Sequence, residues 1–382
     1  MIYLDNSATS WPKAPGVAEA LSKSVTDPIG NVGRSAHAPS LAASRILYDF
    51  RLAVQRHIPP TALEKTVIVH NATEAINIAL LGLACNSAQT VITSPMEHNS
   101  VARTLTSMAT KGTQIIYAAC DQFGRIDVDA FRVQLRSTPV HLAVFTAASN
   151  VTGAINPVAQ LASICAEAHV RWIIDAAQAV GEIDFGNLPV DSDGAICFSV
   201  HKGLLGVSGV GVMALYGSCN PEPLYFGGTG SLSESLQQPD FLPDRYESGT
   251  PAISAIAGSL AALYYCDEKR QELSEARGAA ADALYDGLHR MKELRMLSPP
   301  TDRVPVISVT VNDGTIGALA RALFDRDIAV RTGLHCAPLA HRYLKTMEQG
   351  GAIRFSPGYT TTLMEIDEVI ETVKEALYGT PR

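Results

Sequence analysis

Lys202 stands in the segment ICFSVHKGLLG (196–206), directly after His201 and between two apolar runs. By itself it reads as a solvated loop lysine. The pattern recurs, however, where other apolar, strand-like runs end. Residues 66–71 run into NATEAIN, where Thr73 opens a helix with Ala72 before it. Residues 90–95 run into MEHNS, which presents His98, and 141–149 into SNVTG, which presents Asn150. Asp175 follows 171–174, with Gln178 shortly after it, and Ser199, His201 and Lys202 follow 194–198. Thr73 alone fits a plain helix N-cap, and each of the others fits a loop polar residue. Five consecutive strand ends carrying hydrogen-bonding or ionisable side chains point instead to one shared site, because open parallel sheets bind ligands beyond the carboxyl ends of their strands.

Pyridoxal phosphate needs all of these groups. Its aldehyde takes a lysine amine, its ring nitrogen a carboxylate, its phosphate a cradle of donors and its flat ring a stacking partner. Lys202 supplies the amine, Asp175 the carboxylate and His98 the stacking face. Gln178 is expected to hydrogen-bond the ring hydroxyl. Ala72 and Thr73 at a helix N-terminus, with Ser199 and His201, make the expected phosphate seat. A dinucleotide reading of GVSGVG (206–211) fails on order: it precedes a strand, whereas that fingerprint follows a strand and opens a helix. These glycines are expected to let the chain turn tightly beside Lys202.

Such side chains need a scaffold of alternating elements. Strands are expected at 66–71, 90–95, 114–119, 141–149, 171–177 and 194–201, with helical periodicity at 73–84, 99–111, 127–136 and 157–169. Strands apolar on both faces and joined by helices imply an α/β fold, its mostly parallel sheet covered on both sides. Residues 209–215 add a seventh strand, spaced for an antiparallel return. Beyond about residue 253 the pattern changes. One or two long helices (253–293) precede a strand at 304–311, a helix at 315–325, strands at 328–333 and 352–358, and a helix at 365–378. This is a smaller C-terminal α+β domain. The expected division is an N-terminal arm (1–15), a large cofactor-binding domain (16–255) and a small domain (256–382).

Composition narrows the function. The chain has 382 residues, 47% hydrophobic and 18% charged, so it can bury a large core. A net charge of -8 without a basic block argues against nucleic acid as a partner. Apolar runs fall short of the ~20 residues a bilayer span needs. The start MIYLDNSATS lacks the features of a signal peptide, so no membrane association and a cytoplasmic location are expected. Seven scattered cysteines without a C-x-x-C pair argue against a disulfide framework and a zinc site.

YLDNSAT, NATEAIN, MEHNS, SNVTG, DAAQAVG, FSVHK, YESGTP and RTGLHCAP occur in the order and spacing of the class V aminotransferase superfamily. Within it, the chain most resembles the group II cysteine desulfurases, which include selenocysteine lyases. The match runs from Tyr3 to about Gly358. The resemblance implies a pyridoxal-phosphate transferase fold of type I and a homodimer with active sites at the subunit interface. It implies that Thr250 of YESGTP serves the partner's phosphate site. It also implies that Gly227 and Gly228 approach the neighbouring site and that His37, in GRSAH (33–37), lies near the substrate.

The cofactor alone permits transamination, racemisation, decarboxylation or elimination. The stretch IAVRTGLHCAPLAH discriminates among them. A strand is expected to end at Arg331, and a Gly-containing turn then presents His335 and Cys336. A small buried cysteine is the ordinary reading; cationic neighbours Arg331 and His335 would instead favour the nucleophilic thiolate. With the resemblance, Cys336 is expected to take sulfur from L-cysteine as a persulfide, leaving L-alanine, and to pass it to an acceptor protein. Arg354, assisted by Asn150, is expected to hold the substrate carboxylate. Arg331 joins them in the substrate site, Lys202 moves the Cα proton and His98 assists proton transfer. The alternatives are a lyase acting on L-selenocysteine, a class V aminotransferase that does not use Cys336, and a catalytically silent sulfur carrier.

Overall fold

The computed structural model describes residues 1–33, 37–83, 89–312 and 316–379; Cys85 and the middle of GRSAH lie outside the described residues. The chain opens with β1 (Ile2–Tyr3), α1 (Val17–Thr26) and α2 (Ala38–Val54). Strands and helices then alternate through β2 (Thr66–Val69), α3 (Ala72–Leu83), β3 (Thr90–Thr93), α4 (Asn99–Ala109), β4 (Gln114–Tyr117) and α5 (Val128–Ser137). They continue through β5 (Leu142–Thr146), α6 (Val158–Glu167), β6 (Arg171–Asp175), β7 (Gly194–Ser199) and β8 (Gly211–Tyr216). Next come α7 (Ile253–Glu268), α8 (Arg270–His289), β9 (Leu294–Met296), β10 (Ile307–Val311) and α9 (Gly317–Asp325). The chain closes with β11 (Ile328–Ala329), β12 (Arg331–Gly333), α10 (Pro338–Tyr343), β13 (Ala352–Phe355) and α11 (Leu363–Tyr378).

Seven strands form the main sheet in the order β2-β8-β7-β6-β5-β3-β4. All neighbours are parallel except β8, which runs antiparallel to β2 and β7. That is the return strand expected from its short spacing after Lys202. The sequences LAVFT, GAICFS and GVMALY are buried at every position because helices cover both faces of the sheet. On one face Phe145, Trp172, Ile174 and Phe198 pack with residues of α2, α5, α6 and α7. On the other, Val144, Ile173, Cys197 and Met213 pack with α3 and α4. No helix among the described residues is long and apolar enough to cross a membrane.

The four-stranded second sheet has the order β12-β13-β10-β9. Ile2 and Leu4 of the N-terminal segment share its core with Ile307, Ile353, Phe355 and Val369. β1 pairs in parallel with β11, and Asp5 bridges to Ser356, so the first residues are built into the C-terminal unit. The expected strand 328–333 divides at Val330 because its halves pair with different partners. Arg331 therefore begins β12 rather than ending a strand, and it stands directly opposite Arg354 on β13.

Candidate active site

β6 and β7 lie side by side with Asp175 paired to Cys197, which puts the ends of both strands on one shelf. Asp175 is buried, and its Oδ1 accepts from the Ala177 N–H at 3.0 Å. Lys202 lies just beyond β7. Burial pushes its ammonium down to about 8, while the Asp175 carboxylate offsets part of that penalty and Arg354 and Arg331 add to it. Its Nζ has no hydrogen-bond partner among the described residues. Gly203 makes this turn possible: a Cβ there would stand 2.5 Å from the Val180 carbonyl oxygen.

His98 caps α4, its Nδ1 accepting from the Ser100 N–H at 3.1 Å, which leaves Nε2 as the free ring nitrogen. Burial lowers its pKa, and the charges of Asp175, Lys202 and Arg354 all act on it. Gln178 donates from Nε2 to the Ser7 carbonyl at 2.8 Å, tying the shelf to the N-terminal segment. His201 does the same: its Nδ1 meets Thr9 Oγ1 at 3.1 Å, and burial with Lys202 and Lys13 nearby holds it neutral, at about 4.

At the start of α3 the cap is Asn71, not Thr73. Asn71 Oδ1 accepts from the Glu74 N–H at 2.9 Å, and the helix begins at Ala72. The Ala72 N–H donates to Ser199 Oγ at 2.8 Å, so the ends of β2 and β7 meet here. β8 can run between them because Gly211 pairs with Val69 and Ser199; a Cβ there would strike the Asn71 backbone at 2.6 Å. Thr73 is exposed in the first turn, its N–H and hydroxyl unpartnered among the described residues. Free first-turn donors and a helix dipole suit an anion.

The nucleophile turn comes from the C-terminal unit. His335 and Cys336 both take left-handed backbone conformations, with φ of 48° and 55°, at a cost of order 1–3 kcal/mol each. Three bonds stabilise the turn. The Cys336 carbonyl accepts from the Asn99 N–H at 2.7 Å, the His335 carbonyl from Asn150 Nδ2 at 2.7 Å, and Leu334 O from the Ala337 N–H at 2.8 Å. Of the described cysteines only Cys336 is exposed. Burial pushes the Cys120, Cys219 and Cys266 thiols up to about 12, which keeps them inert. His335 departs from expectation. It is buried and pushed down to about 3, so at neutral pH it brings no positive charge to Cys336. The cations there are Arg331 and Arg354, each of which interacts electrostatically with Cys336. Arg354 is buried, donating from Nη1 to the Asn150 carbonyl at 3.0 Å and from Nη2 to Asp5 at 2.9 Å.

Lys202, Asp175, His98, Asn150, Arg331, Arg354 and Cys336 thus converge from both units. His37 and Thr250 do not join them within one chain. His37 is an exposed N-cap of α2. Thr250 is exposed on a groove of about 1020 Å³, shared with His70, Glu74, Gly227 and Gly228. Sequence reasoning missed Asp5, although YLDNSAT contains it: an acid two residues beyond a two-residue strand leaves no periodic signal. It also missed buried Glu97, next to His98, whose Oε1 accepts from Ser94 Oγ at 2.5 Å and the Thr146 N–H at 3.0 Å.

The residues present fit pyridoxal phosphate: a half-buried amine without a hydrogen-bond partner among the described residues, interacting with a buried carboxylate, a helix start with free donors, and an imidazole near both charges. A match to the family described as aminotransferase class-V runs over residues 2–369. A cysteine desulfurase from Bradyrhizobium diazoefficiens is 30% identical over 98% of this chain and 94% of its own length. A probable cysteine desulfurase from Synechocystis is 29% identical over 99% of this chain and 91% of its own. Among solved structures, an apo cysteine desulfurase from Thermococcus onnurineus superposes with a TM-score of 0.91 and 26% identity, covering 99% of this chain and 95% of that one. The chain belongs to the aminotransferase class-V family.

Proposed function

We propose that this chain is a pyridoxal-phosphate-dependent cysteine desulfurase. The observation that carries the reading is the convergence of Lys202 and Asp175 with the one exposed described cysteine, close enough that Cys336 interacts electrostatically with Lys202. The relatives named above are cysteine desulfurases, which favours this reading over an aminotransferase that would not need Cys336.

Lys202 would hold the cofactor covalently, Asp175 would face its ring nitrogen and His98 its ring face. Thr73, Ala72, Ser199 and His201 would surround its phosphate. When bound, the cofactor withdraws electrons from the substrate and so weakens its Cα–H and Cβ–S bonds. Arg354, braced by Asn150, binds the substrate carboxylate. Lys202, neutral in appreciable fraction near pH 8, takes the Cα proton. Cys336 attacks the substrate sulfur: the S–S bond forms, the Cβ–S bond breaks with its electron pair staying on the carbon fragment, and protonation there yields alanine. Cys336 is exposed, so an acceptor protein can reach it to collect the sulfur.

Two copies would complete the site. The groove beside Thr250 reaches the start of α3 through Glu74 and carries exposed aromatic residues Tyr48, Tyr225 and Phe226. A partner subunit seated there would receive Thr250 and His37 near its own site. The test is mass spectrometry of the purified protein after incubation with L-cysteine. One added sulfur on Cys336 and free alanine in solution are expected; alanine without sulfur on Cys336 would sink the proposed role of that residue.

A further inference from the structure

Arg331 and Arg354 stand directly opposite each other on β12 and β13. Like charges at paired positions repel, yet here both guanidinium groups converge on one carboxylate. Asp5 Oδ1 accepts from Arg354 Nη2 at 2.9 Å, and Arg331 donates to Asp5 through Nη2 at 2.8 Å and Nε at 3.1 Å. The side chains of Arg354, Asp5 and Arg331 are 3%, 15% and 45% exposed, so the cluster runs from the interior to the site mouth. Arg354 Nε is buried without a partner, leaving a donor for an incoming ligand. Asp5 is anchored independently of these side chains, through the pairing of β1 with β11 and the Ser356 bridge.

Building on the reading of Arg354 as the carboxylate clamp, we infer that Asp5 is a specificity-determining residue of the substrate site. Two guanidinium groups and one resident carboxylate leave a single unmatched positive charge. That balance suits an amino acid with one carboxylate and an uncharged side chain. A substrate with an anionic side chain finds no second unmatched cation in this cluster and meets the Asp5 carboxylate instead. Asp5 also positions Arg354, holding Nη2 while the Asn150 carbonyl holds Nη1.

The test titrates L-alanine and L-aspartate into the holoenzyme and reads dissociation constants from the change in cofactor absorbance. In Asp5→Asn the preference should move about tenfold toward aspartate, the effect of one unmatched charged hydrogen bond. The double variant Asp5→Asn with Arg331→Gln restores one net positive charge and should return the ratio to the parent value. Arg331→Gln alone changes a half-exposed side chain, and it keeps the test available if Asp5→Asn fails to fold. It should move the preference toward alanine. A merely structural loosening would weaken both ligands alike, so an unchanged alanine-to-aspartate ratio in the single variants overturns the inference. Absence of any absorbance change with either amino acid in the parent protein overturns the desulfurase reading, and this inference with it.

Discussion

Two regions meet at the site, and they hold their chemical groups by different means. On the shelf of the main sheet, Asp175, Ser199 and Lys202 are placed by backbone register, with Asp175 paired to Cys197 and Ser199 to Gly211. Facing it, Arg331 and Arg354 are held by ion pairs to Asp5, and Cys336 hangs by its carbonyl from the Asn99 N–H. The two regions treat the same residue type in opposite ways. Cys197 is locked inside the sheet, where burial raises its thiol pKa well above the ordinary value, while Cys336 is lifted into the open by two left-handed residues. Sheet register fixes the groups that would carry the cofactor, whereas a strained turn held by a few bonds across to α4 and Asn150 fixes the group that would carry the sulfur.

Substitutions that split the two regions should give the largest effects. Lys202→Ala should lose the visible cofactor band, borohydride-trapped attachment and at least ~10³-fold in alanine production. Cys336→Ala should lose a similar factor in alanine production from cysteine but keep the band. Loss of the band in both variants would show that the regions are not separable. A smaller effect is expected at Arg277, the link from α8 to the Lys202 turn. Buried Arg277 donates to the Gly203 carbonyl at 3.1 Å and pairs with Glu182. Arg277→Met strands the Glu182 carboxylate, and denaturant unfolding should register about 3 kcal/mol of lost stability. A change below about 1 kcal/mol would mean that Glu182 simply takes up a proton.

The last effect is pH-dependent and concerns Glu97, buried next to His98. Burial pushes its carboxyl up to about 8, and the nearby Asp175 charge adds to the rise. Between the ordinary carboxyl range and pH 8 the folded chain keeps a proton that the unfolded chain has released. This contribution is therefore fully present at low pH and is lost as pH rises through about 8. Urea midpoints of the parent should fall from pH 5 to pH 8, and Glu97→Gln should flatten that fall. An equally steep fall in the variant would assign the dependence to other groups.

The shelf was legible because its signal is local. An apolar run followed by a polar or ionisable residue recurs, and a parallel sheet puts every such end on one side. Strand boundaries ran long, as at 141–149 against Leu142–Thr146, because the chain leaves the sheet before its apolar character ends. Helices α1 and α2 were not anticipated. The His335 charge was misread, since burial strips that ring of its proton, and neighbours in space also decide that the capping bond of α3 goes to Asn71 Oδ1.

The order of residue types alone determined that this is a layered α/β chain with an amine, an acid and an imidazole on one sheet edge. Hydrophobic periodicity is a short-range property, and those groups inherit their side of the sheet from it. Only the tertiary structure decided that Asp5 lies between Arg331 and Arg354, across sequence separations of 326 and 349 residues. It also decided that the Cys336 turn hangs from the first N–H of α4. Such contacts depend on how two independently packed cores dock, and no periodicity along the chain encodes that.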